Sequence, residues 1–163
     1  MPRQDTGFSP RPIITGTSRL GPPTPSSAAC HSALRPEAPK RVGSLVTVGG
    51  NAHNAWWYHS PSGSKRYLFV GEEGPGSVGS SSSGDIHVVD VSNLAAPVEV
   101  GSYHLPGAGT HNFWVDEANE ILYAAYYNGG VVALDISGTL SGSIVLREIA
   151  RIMPGGSGNT FVW

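Results

Sequence analysis

The chain has 163 residues and a formal net charge of −2, from 10 basic and 12 acidic side chains. That balance leaves no basic stripe for a phosphate backbone, which argues against nucleic acid as a partner. No stretch approaches the roughly 18 apolar residues that a transmembrane helix needs. Glycine supplies 22 residues and charged side chains only 13%, among many short Val/Ile/Tyr runs, and this composition points to a turn-rich, all-β protein.

Residues 1–37 are rich in Pro, Ser, Thr and Arg and carry no sustained apolar period, so they read as a disordered extension. The single cysteine, Cys30, has no intramolecular disulfide partner. The string SSAAC around it lacks the apolar run that precedes a lipid-processing site, and no ordinary signal peptide is evident. From residue 42 onward, short β runs alternate with turn signals. Strands are predicted at 42–48, 53–58, 67–70, 85–91 and 98–105, separated by Gly49-Gly50-Asn51, HSPSGSK, the Gly/Ser-rich loop 71–84 and SNLAAP. A second round follows at 111–116, 121–127, 130–136 and 144–153, with Asn128-Gly129 as a hairpin signal. A third round starts at 159–163.

The rounds repeat. The stretch from Ala38 to Trp56 reappears without a gap from Ala96 to Trp114, with 9 of 19 positions identical at an offset of 58. DIHVVDVS at 85–92 matches GVVALDIS at 130–137. Each round holds four short strands over 48 to 58 residues, a propeller-blade pattern. No window shows the three-and-four apolar spacing of a helix. The expected fold is therefore all-β, a partial β-propeller of about two and a half four-stranded blades. A blade cannot bury both faces alone, so further blades or self-association are expected to complete it.

The pieces GDIHVVDVSNLAAPVEVGSY and GGVVALDIS, each preceded by an HN-aromatic strand, resemble the LVIVD-repeat β-propeller proteins of bacteria and archaea. The resemblance covers residues 38–163. It implies a larger propeller, exported or at the cell surface, with no established catalytic activity. The absence of an export signal in this sequence leaves a cytoplasmic location open.

His53-Asn54 and His111-Asn112 stand at equivalent positions, each after a Gly-rich turn and at the head of a strand. Histidines converging from neighbouring blades could bind zinc or copper, or act as acid–base groups. The alternative is architecture, with each ring fixing a neighbouring loop; the third start, with Asn159 or Thr160 there, favours it. Asp90 and Asp135 each precede a Ser at a strand end and are expected to accept hydrogen bonds from the following turn. Glu72 and Glu73 form either a solvated acidic loop or, with Asp85, a cation site such as one for calcium. Trp56, Trp57 and Trp114, with the two glutamates, are candidates for a binding rim for a glycan or peptide. Most other aromatics, among them Tyr58, Tyr123, Tyr126 and Tyr127, are expected in the core, and His87 and His104 are expected to be structural. No catalytic nucleophile constellation is present. Two functions follow: a non-catalytic binding or surface scaffold with a protein or glycan partner, or a metal-binding propeller, such as an oxidase or other enzyme, using His53 and His111. The sequence requires no cofactor; a metal ion belongs to the second reading alone.

Overall fold

The structure, a computed structural model, describes residues 40–47, 51–74 and 82–154, all within the unit Lys40–Trp163. The extension 1–37, part of the serine-rich loop and the third start at 159–163 lie outside the described residues. Among the described residues nine strands form: β1 Ala52–Trp57, β2 Tyr67–Glu72, β3 Ile86–Asp90, β4 Val98–Tyr103, β5 Phe113–Asp116, β6 Ile121–Ala125, β7 Val131–Asp135, β8 Gly142–Ser143 and β9 Glu148–Ile152. They make two sheets, a first of order β1-β2-β3-β4-β8 and a second of order β5-β6-β7-β9, and neither closes into a barrel. Within each, the first four strands form an antiparallel meander.

Period-two alternation decides the faces. Tyr67, Phe69, Ile86, Val88 and Tyr103 of the first sheet meet Val115, Leu122, Ala124, Val132 and Leu134 of the second in one core. Phe69, Leu122 and Leu134 are fully buried, and burying each such side chain contributes about 1.5–3 kcal/mol. The second sheet repeats the first in register as well as in sequence. Trp56 lies opposite Phe69 in β1–β2, and Trp114 lies opposite Tyr123 in β5–β6. Trp56 packs against the core, whereas its counterpart Trp114 is 58% exposed on the outer face of the second sheet.

Three local expectations are corrected. Residues 42–47 are not a strand; Val42 and Val46 are exposed, because β backbone persists where a neighbouring strand accepts its hydrogen bonds. The run 144–153 splits into a 3-10 turn, Val145–Arg147, and β9. Just before it, β8 leaves the second round and joins the first sheet, parallel to β4. Gly101 permits this approach: a Cβ there would stand 2.7 Å from the Gly142 carbonyl oxygen. Asn128-Gly129 does join two paired strands, but through a 3-10 turn, Tyr127–Gly129, rather than a two-residue hairpin turn. Tyr127 there takes a positive φ of 33°.

Candidate metal centre

His53 lies in β1, where the pairing with β2 shifts register between Ala52 and Asn54. Such a bulge re-aims a side chain. His111 lies just ahead of β5, with its backbone fixed by donation from its N–H to the Ala125 carbonyl at 2.7 Å. The two edge strands β1 and β5 are in contact. Asn54 Nδ2 donates to Asn112 Oδ1 at 3.2 Å, so the two equivalent asparagines tie the strands together. The imidazoles beside them approach with centroids 4.3 Å apart.

Glu73 joins them. It follows β2 directly; its N–H donates to the Asn51 carbonyl at 3.2 Å and its carbonyl accepts from Ser82 Oγ at 2.5 Å. Its carboxylate oxygens lie 3.4 Å from His53 Nδ1 and 3.4 Å from His111 Nε2. Ligand atoms of all three residues fall within 4.8 Å of one another. Tyr127 completes the cluster: its hydroxyl donates to Glu73 Oε1, and its ring meets His111 edge-on at 5.2 Å. Burial, reinforced by the neighbouring His53, holds the His111 pKa below the usual imidazole value, against the pull of Glu73. A neutral imidazole is the form that ligates a metal.

A second cluster lies beside the first. Glu72 ends β2 and is buried, so the expected solvated acidic loop does not form. It accepts from Thr47 Oγ1 and stands 3.1 Å from His87 Nε2, while His87 Nδ1 faces Glu99 at 2.8 Å. Burial opposes a charged His87, but the hydrogen bond to Glu99 and the charges of Glu72 and Glu99 outweigh it and hold the pKa above its ordinary value. Asp85 bonds His104 at 2.6 Å and takes no part in the three-residue group.

Asp90 and Asp135 behave as the sequence implies, accepting from the Ser92 and Ser137 N–H groups at 2.9 Å. Of the rim candidates, Trp57 and Trp114 are exposed. Trp56 is half-buried, with its indole N–H donating to Glu117. Glu72 faces inward, and Glu73 faces the two histidines. Sequence reasoning missed that Glu73 belongs with the histidines; Tyr127 is buried, as expected, but the contact of its hydroxyl with Glu73 was not read from the sequence. A signal existed: counted from the paired aromatics, Phe69 to Tyr123 is an offset of 54, and Glu73 to Tyr127 is the same 54. The two residues occupy equivalent places after the second strand of each round.

The sequence profile of the LVIVD repeat matches residues 81–104, the span that holds β3 and β4. The chain carries an LVIVD repeat. The matched LVIVD segment contributes His87, Asp90 and Glu99, but none of the three clustered ligands. No curated protein and no solved structure matches the chain.

Proposed function

We propose that this β-propeller-like LVIVD-repeat protein binds a first-row transition metal between two blades, through His53, Glu73 and His111. One observation carries the reading: three donors from separate segments converge, with both histidine–carboxylate separations at 3.4 Å. The two separations involve different oxygens of the Glu73 carboxylate and exceed an ordinary N–H···O hydrogen bond of about 2.7–3.2 Å. Taken one atom per residue, the donors lie within 4.8 Å of one another, and a metal bound at about 2.0–2.1 Å in tetrahedral geometry would draw them to about 3.3–3.4 Å. His53 is the exposed member and His111 the buried one, so the site has an anchored side and an open side. Three protein donors leave a fourth position in a tetrahedral site.

The propeller itself is part of the proposal. Trp56 covers the second sheet, and its counterpart Trp114 stacks on Tyr123 at 5.4 Å on the face where a third blade would pack. The opposite, outer face of the first sheet carries an apolar cavity of about 400 Å³ lined by Ala55, Leu68, Val70 and Val89, where a preceding blade would pack.

A scaffold role is supported by a cavity of about 360 Å³ beside exposed Trp57, lined by Lys65, Arg66 and Ser92. Its lining specifies no ligand, so the convergent site is the stronger ground. Equilibrium dialysis of the purified full chain against zinc(II) tests the metal reading. One equivalent is expected in the unmodified protein and none in the His53→Ala/His111→Ala double variant. Equal uptake by both would remove the reading.

A further inference from the structure

We propose that Tyr127 is the fourth protein donor of this site, binding through its phenolate oxygen; this rests on the metal reading above. The site is built twice over from one repeat. His53 and His111 are equivalent, 58 residues apart, and Glu73 and Tyr127 are equivalent, 54 residues apart. Each blade therefore supplies one imidazole from the head of its first strand and one oxygen from just after its second. The Tyr127 hydroxyl is in contact with Glu73 Oε1, the oxygen that faces His111 Nε2. That placement brings the phenol to the group of atoms that would surround the ion.

The backbone supports a dedicated role. Tyr127 is 1% exposed and takes its positive φ in a 3-10 turn closed by donation from the Gly129 N–H to the Tyr126 carbonyl at 2.5 Å. A bulky residue in that region is strained, and such strain collects at functional sites. Tyr126, one residue earlier, points instead into the core, where its ring meets Tyr103 at 5.7 Å. The strained turn separates one tyrosine for packing from one for the site.

On binding, the metal replaces the phenolic proton, which leaves to solvent. The donor set becomes two imidazole nitrogens, one carboxylate and one phenolate. These nitrogen and oxygen donors suit copper(II) or iron(III) rather than an ion that seeks thiolates.

Copper(II) titration of the tag-free full chain tests this. One equivalent should bind and produce a visible phenolate-to-copper charge-transfer band, and Raman excitation within that band should enhance tyrosinate ring modes in the unmodified protein. Tyr127→Phe should lose the band and weaken copper binding by more than the about 10–100-fold that loss of an outer-shell partner costs, while Tyr123→Phe, altered outside the site, keeps both. Copper bound through His53 and His111 with no such band overturns the role of Tyr127 and leaves the metal reading standing. No stoichiometric binding overturns both.

Discussion

The imidazoles of His53 and His111 lie with centroids 4.3 Å apart, although His53 belongs to the first sheet, His111 just precedes the second, and the residues are 58 positions apart in the chain. Glu73 sits 3.4 Å from each. Because the three donors are expected to act together on one ion, removing either histidine should cost more than the about 10–100-fold that loss of an outer-shell partner costs. Competition between zinc(II) and a chromophoric chelator checks this with His53→Ala and His111→Ala separately. His53→Ala is the cleaner variant, since His53 is exposed and its truncation leaves no buried cavity.

His87 makes stability pH-dependent. Its folded-state pKa is raised by Glu99 and Glu72 against the opposing effect of burial. The charged imidazole therefore contributes fully below its unfolded value, about 6.5, and that contribution is lost as pH rises through the raised folded value. Urea midpoints of the unmodified protein should accordingly carry a component that falls with rising pH in this window. His87→Gln should lack that component, so the two slopes should differ.

The two turn aspartates are equivalent and should respond alike. The Ser92 N–H, then its hydroxyl, then Arg66 lower the Asp90 pKa to about 2, and the Ser137 hydroxyl and N–H lower that of Asp135. Asp90→Ala and Asp135→Ala should each destabilise by about 1 kcal/mol. For Asp90 the loss should disappear as pH falls from about 4 towards about 2, where the native carboxylate protonates. Denaturant titration at pH 7 and at low pH reads both effects.

Core and surface should separate by size of effect. Leu134 is fully buried between the sheets and Leu146 is 98% exposed. Leu134→Ala should cost about 2–5 kcal/mol, and Leu146→Ala less than about 0.5 kcal/mol. Chemical denaturation of both variants checks the placement of the core.

The repeat and its strands were legible because alternation and turn chemistry are local. Tyr67-Leu68-Phe69-Val70 reads as a strand without knowledge of its neighbours, and the turn roles of Asp90 and Asp135 follow from the Ser two residues on. The failures were non-local. Residues 42–47 have strand composition but no partner strand among the described residues. The parallel pairing of Gly142–Ser143 with β4 depends on a close approach at Gly101 that no sequence window reveals. The same distinction divides the site. The equivalence of His53 and His111 is written in the sequence, whereas the inclusion of Glu73 depends on where β2 ends relative to β1 and β5. The burial of Glu72 next to it depends on Thr47 and His87, from two other segments.

X-ray absorption at the metal edge of the singly loaded, tag-free full chain tests the metal centre most directly. Two imidazole nitrogens, with their outer-ring scattering, and oxygen donors near 2.0–2.1 Å are expected, and the imidazole scattering should halve in His53→Ala. A spectrum of oxygen donors alone, or one unchanged in His53→Ala, would contradict a metal held between the two sheets.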